Sequence, residues 1–191
     1  MDTRILILIV VAAVVLLIVA GTLIFRQRTS KHLKQQFGPE YDRTVAQHGD
    51  ARRAEAVLID REKRVEKFSL RALPPADRLR YAEEWDTIQR RFVDDPSTAV
   101  NQADSLVNLV MAARGYPVGE AEERAADISV NYPTVVENYR AARHIFLRHA
   151  RGESSTEDLR RAMVYFHSLF DELLGTHRGS IAEATRERLA S

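Results

Sequence analysis

Imidazoles bind metals and move protons near neutral pH, so the histidines at 32, 48, 144, 149, 167 and 177 are the first candidates for chemistry. Their spacing supports none. The chain has no His-Glu-x-x-His run and no Glu-x-x-His pair of the kind a di-iron bundle projects into its core. His144 and His149 are five residues apart and so do not share a helix face. His48 stands beside Gly49-Asp50, where the glycine supplies a turn and the aspartate suits the cap of a following helix. Asp94-Asp95 has the composition of a paired acid. Two acids directly before Pro96 are, however, the pattern of a helix start, with Asp95 as N-cap and Pro96 at the first helical position. Arg90-Arg91 and Arg160-Arg161 have the charge to hold a phosphate, but each reads as a solvated helix face. The eight glycines occur singly, so there is no phosphate-cradling loop, and no Gly-x-Ser-x-Gly elbow is present. With no cysteine, disulfides, thiolate metal sites and a cysteine nucleophile are excluded. The sequence names no catalytic residue, no cofactor and no metal ligand, and an enzyme is the less expected class.

One aromatic group remains. Tyr81, Trp85, Ile88 and Phe92 recur at 4-3-4 spacing and share one face of a helix predicted over about 76–93. Tyr81 and Trp85 are the candidate ligand or partner surface, since their rings can stack. The competing reading of such a stripe is core.

The elements that position these residues begin with an apolar run. Ile5 to Phe25 are 21 residues without a charge, and sixteen of them are Leu, Ile, Val or Phe. As a helix the run is roughly 31 Å long, about one hydrocarbon core. Its side chains favour insertion by about 5–10 kcal/mol. A cleaved signal peptide would have a shorter apolar region, a basic start and a small-residue cleavage site. Met1-Asp2-Thr3-Arg4 and Leu23-Ile24-Phe25 supply neither flank, so a retained transmembrane anchor is expected. Arg4 alone precedes the run, whereas Arg26, Arg28, Lys31 and Lys34 follow it. That imbalance predicts the N-terminus outside and the C-terminal domain in the cytoplasm. The same four cations are candidate contacts for anionic lipid headgroups.

Formal net charge is +1, which gives no bulk attraction to nucleic acid. Residues 26–67 carry 11 Lys/Arg against 7 Asp/Glu, and 68–191 carry 16 against 19, so the basic half is the one beside the apolar run. The predicted organisation is an anchor and basic stem over 1–36, with the span at 5–25, then an all-helical domain over 37–175 and a mobile polar tail over 176–191. Gly38-Pro39 breaks the first helix and separates it from the domain, which then need not be rigidly aligned with the anchor. Gly49-Asp50 is either a kink or a second break, so 37–68 is one kinked helix or two. Ala51, Ala54, Leu58, Val65 and Phe68 follow a heptad rhythm interrupted by Arg61. This pattern suits either a short dimeric coiled coil or a helix docked on its own domain, and its length favours docking. Pro74-Pro75 starts the aromatic helix. Ala99, Val100, Ala103, Leu106, Val107, Val110 and Met111 give a wide apolar stripe ending at Gly115, which predicts the central helix. A short helix around 120–130 follows. Pro133 is expected at the first position of the next helix, and Ser155 to Asp158 is a capping arrangement for the last. The fold class is all-α: one N-terminal transmembrane helix followed by an antiparallel multi-helix bundle.

Several segments resemble a group of uncharacterised bacterial single-span membrane proteins with a helical soluble domain. They are Phe37-Gly-Pro-Glu-Tyr-Asp-Arg, His48-Gly-Asp, Arg61-Glu-Lys-Arg-Val-Glu-Lys, Tyr81/Trp85/Gln89, Phe92-Val-Asp-Asp-Pro and Arg114-Gly-Tyr-Pro. The resemblance covers roughly 30–175 and implies architecture and a bacterial inner-membrane location, with no activity. Where the group has Ser-Pro before the aromatic helix, this chain has Pro74-Pro75 and loses a hydroxyl N-cap, which weakens that helix start by about 1 kcal/mol.

The expected function is a membrane-anchored helical interaction module at the cytoplasmic face. Its expected partners are the lipid bilayer and a protein of unstated identity, not nucleic acid. The alternatives are a ligand-binding or enzymatic domain with an inter-helix site, and a self-associating protein that dimerises through 51–68.

Overall fold

The computed structural model describes the backbone of residues 3–175. Within the first 26 residues it describes only some of the side chains; all of those at 5–12 and that of Arg26 fall outside it. The tail at 176–191 lies outside the described residues. Eight helices and no strand are found among the described residues: α1 Thr3–Phe37, α2 Pro39–His48, α3 Ala51–Val65, α4 Pro75–Arg91, α5 Pro96–Ala113, α6 Ala121–Asn131, α7 Val136–His149 and α8 Thr156–Leu174. Among the described residues no helix is long and apolar enough to cross a membrane. The apolar run lies within α1, and about half of its side chains are outside that description.

The chain divides into two compact units, Met1–Leu58 and Ile59–Ser191. In the first, α1 ends at Gly38, whose φ of 48° is a left-handed conformation that glycine adopts freely. Pro39 follows at the start of α2, with Glu40 and Asp42 in the first turn where the helix dipole favours them. Gly49, at φ 67°, closes α2 by donating its N–H to the Val45 carbonyl at 2.9 Å. Asp50 then caps α3, its Oδ1 accepting from the Arg52 N–H at 3.3 Å. The segment 37–68 is therefore not one kinked helix: Gly49 breaks it outright.

In the second unit α8 packs against α7 and α5, α5 against α4, and α6 against α7. Trp85 of α4 meets His167 and Phe170 of α8, while Phe92, just past α4, lies beside Arg160 and Met163, so α4 and α8 run antiparallel. Ser97 at the start of α5 meets His149 at the end of α7, so that pair is antiparallel too. At the other end the Arg114 guanidinium, just past α5, donates to the Leu173 carbonyl at 2.6 Å. Both α5 and α8 thus begin near the end of α7 and finish together, in parallel. The chain returns through α7 between them, and α6 lies within the connection from α5 to α7.

The core of this unit includes Trp85, Val100, Val107, Met111, Ile128, Tyr139, Phe166 and Leu173, each no more than 2% exposed. The wide stripe of α5 is buried throughout, as its pattern predicts for a central helix. Asp95 accepts from the Thr98 N–H at 3.1 Å, with Pro96 at the first helical position. Ser155 and Asp158 form a reciprocal capping box. Pro133 differs from its expected place. It lies in a turn at 133–135, where the Tyr132 carbonyl accepts from the N–H groups of both Val135 and Val136, and α7 begins at Val136. At the end of α5, Gly115 has φ 95°, and a Cβ there would collide with the Ser69 carbonyl. The segment between α3 and α4 is held close at this point. Arg71 donates its N–H to the Arg114 carbonyl at 3.0 Å and its Nε to the Ala113 carbonyl at 2.9 Å, serving two of the carbonyls that a helix end leaves open.

Candidate functional site

The residues that sequence analysis put forward separate into two sets. Tyr81 and Trp85 are core residues, 4% and 2% exposed. Trp85 stacks on Phe170 with centroids 4.7 Å apart and planes 24° apart, and lies 5.0 Å from the His167 ring. Arg80 covers the Tyr81 ring at 4.7 Å. Neither ring presents a face for a ligand or partner, because α8 occupies that of Trp85 and burial closes off Tyr81. The Trp85 Nε1–H has no hydrogen-bond partner among the described residues.

The basic stem is the other set. Arg28, Lys31 and Lys34 are exposed on α1, and the side chain of Arg26 lies outside the described residues. One node fixes the stem to α2 and α3. Tyr41, on α2, is 4% exposed and donates its hydroxyl to Glu55 Oε1 on α3 at 2.8 Å. The same hydroxyl is 3.5 Å from Ser30 Oγ on α1, and Lys34 Nζ lies 5.3 Å from the centroid of its ring. Burial holds the Tyr41 hydroxyl above its ordinary pKa; the Ser30 contact opposes this and the Glu55 carboxylate reinforces it. The hydroxyl therefore keeps the proton it donates. Tyr41 spans the Gly38-Pro39 break, so α2 and the start of α3 are tied to the stem. Pattern alone did not reveal the node, since Ser30, Tyr41 and Glu55 belong to three helices. Leu33, Phe37, Ala54 and Leu58 in the same unit are fully buried.

Four of the five heptad positions over 51–68, the stretch that opens with α3, are covered within one chain. Ala54, Leu58 and Val65 are buried, Phe68 is packed against the core of the second unit, and Ala51 alone of the five is exposed. Arg64, on the same helix, is ion-paired with Asp127 and, at 3.3 Å, with Glu123 of α6. Burial pushes the Asp127 carboxyl above its ordinary pKa, and Arg64 works against that shift.

His177 lies outside the described residues, and the other histidines form no cluster. His149 Nε2 is 2.6 Å from Ser97 Oγ, a pairing of the kind a nucleophile and its base adopt, but among the described residues no third group orients the ring, and its buried Nδ1 has no partner among them. His167 is 3.3 Å from Asp171. No group of three or more His, Cys, Asp or Glu side chains that could hold a metal ion occurs among the described residues. Two open grooves flank α4. One, of about 480 Å³, runs along α5 between Glu84, Thr87, Arg91, Gln102, Ser105 and Leu109. The other, of about 250 Å³, faces α8 between Gln89, Phe92, Arg160, Met163, Val164 and His167. The hydroxyls of Thr87 and Ser105 are engaged with backbone carbonyls on their own helices, and Arg160 with Glu157, so these polar groups do not converge on a common point.

Compared with protein-family models, with curated proteins and with solved structures, the chain matches none.

Proposed function

We propose that this chain is a single-span, membrane-anchored helical module that holds its C-terminal domain at the cytoplasmic face and recruits a protein partner there. The reading rests on the environment of α1. Val15, Leu16, Leu17 and Ile18 are 53%, 70%, 69% and 60% exposed, and Ile24 and Phe25 are 53% and 72% exposed. Four consecutive helical residues point in four directions about 100° apart, so this exposure surrounds the helix. One packed partner would cover a single face. A lipid core covers all of them, and at roughly 1.5–3 kcal/mol per large apolar side chain left in water, that cover is strongly favoured. The basic flank after Phe25 supports the cytoplasmic orientation. The filled core around Trp85, with its open and unfocused grooves, favours an interaction surface over an enclosed ligand site.

Alkaline extraction of membranes tests the anchor. The full chain is expected to stay in the membrane pellet. Val15→Lys with Ile18→Lys costs about 5–7 kcal/mol on the insertion scale, comparable to the whole driving force, and is expected to release it. Release of the unsubstituted chain would overturn the anchor. Cross-linking in native membranes tests recruitment: reproducible capture of one protein is expected, and capture of none would remove that half of the reading.

A further inference from the structure

The Tyr41 node brings a second set of cations to the height of the stem. Arg52 and Arg53 open α3 and are exposed. Glu55 lies two to three residues further on, and its carboxylate is 2.8 Å from the Tyr41 hydroxyl, which is itself 3.5 Å from Ser30 Oγ. Ser30 is five residues past Phe25, about 7–8 Å along α1 from the end of the apolar run. Whichever way α3 inclines, Arg52 and Arg53 differ from Glu55 by at most about 5 Å in height. The headgroup layer of one leaflet is roughly 5–8 Å deep, and the Debye length at physiological salt is about 8 Å.

The geometry points to the first turn of α3, through Arg52 and Arg53, as a second binding element for anionic phospholipid headgroups, acting beside Arg28 and Lys31. It rests on the anchored reading of α1. The exposed acids nearby are Asp42 and Asp50. Asp50 is engaged as the cap of α3 and Glu55 accepts the Tyr41 proton, so both carboxylates have a partner, while Arg52 and Arg53 are exposed. Phosphodiester oxygens are shared with nucleic acids. A lipid surface is favoured here because the node fixes the start of α3 against the stem, one to two turns past the apolar run.

The chain has no cysteine, so a single fluorophore can be placed by Gln27→Cys or by Ala51→Cys in the full protein. Each is reconstituted in nanodiscs carrying a headgroup-nitroxide lipid, in phosphatidylcholine alone or with phosphatidylglycerol added. The probe at position 27 is expected to be quenched in both. The probe at position 51 is expected to be quenched more in anionic discs, with the excess lost at high salt. Each arginine is expected to shift the docking equilibrium about fivefold, so Arg52→Gln with Arg53→Gln lowers it roughly 25-fold. An unquenched probe at position 27 would overturn the anchor itself. Quenching at 27 without an anionic excess at 51, or an excess that survives the double substitution, would overturn the headgroup site and leave the anchor standing.

Discussion

The capping box at the start of α8 is a place where one carboxylate does several jobs. Asp158 accepts the Ser155 N–H at 3.0 Å and the Ser155 hydroxyl at 2.8 Å, and is ion-paired with Arg161. The Ser155 hydrogen bonds, and after them Arg161, stabilise the charged form and bring its pKa from 3.8 down to about 2. A depressed folded-state value means that the unfolded chain binds the proton first as pH falls. The stabilisation is therefore present in full above the ordinary carboxyl pKa and is lost as pH falls through the folded value, over the window from about 4 to about 2. Carbon-detected NMR titration of the side-chain carboxyl is expected to give a midpoint of about 2 in the intact chain. In Ser155→Ala the midpoint should rise toward 3.8, because one of its donors is gone. An unmoved midpoint would assign the shift to the backbone N–H at position 155, which alanine keeps, together with Arg161.

Between α5 and α7 lies a pairing of a different kind. Arg143 Nη1 is 2.9 Å from Asp104 Oδ2, with the side chains 19% and 10% exposed, and Asn108 donates to the same oxygen at 3.1 Å. Asp104 Oδ1, Asn108 Oδ1 and Arg143 Nε have no partner among the described residues. Removing one charge from such a site strands the other, so Asp104→Ala is expected to cost about 2–4 kcal/mol in thermal unfolding of the full chain. Replacing both, by Asp104→Leu with Arg143→Met, should restore stability to within about 1 kcal/mol of the original or exceed it, since the pair's desolvation cost disappears with its attraction. A double variant as unstable as the single one would show that the pair fixes the α5–α7 geometry. This contact also lies beyond what residue spacing encodes. Asp95 with Pro96, Ser155 with Asp158 and Gly38 with Pro39 act over three or four residues, so their helix boundaries are legible in the sequence. Asp104 and Arg143 are 39 residues apart, and Tyr41 meets groups 11 and 14 residues away on other helices. Such pairs depend on how helices cross, which periodicity does not encode. Pro133 shows the same limit locally: proline suits a helix start or a turn equally, and the Tyr132 carbonyl decides for the turn. The stripe of Tyr81 and Trp85 has the spacing of a core and of a stacking surface alike, and only the position of α8 distinguishes them.

For the chain as a whole, the proposed anchor and the charge distribution make a joint statement about orientation. The insertion energy of Ile5–Phe25 is indifferent to direction, because a span read from either end is equally apolar. In the proposed orientation, direction comes from the flanks: one cation, Arg4, on the N-terminal side, against Arg26, Arg28, Lys31 and Lys34 on the other. A reporter fused after Ser191 is accordingly expected to be active only in its cytoplasmic form. Neutralising those four cations and adding lysines before Ile5 reverses the imbalance while leaving the span unchanged, so the reporter should become partly or wholly external. Unaltered orientation in that variant would assign direction to the folding of the C-terminal unit before translocation, and not to the flank. The two roles proposed for the stem can be separated with the same set of proteins. Topology is fixed once, during insertion, whereas headgroup contact is an equilibrium that salt weakens. Neutralising Arg52 and Arg53 should therefore leave the reporter's side unchanged while abolishing lipid-charge dependence at position 51. A change of side on losing those two arginines alone would mean that the first turn of α3 acts during insertion, as an extension of the stem.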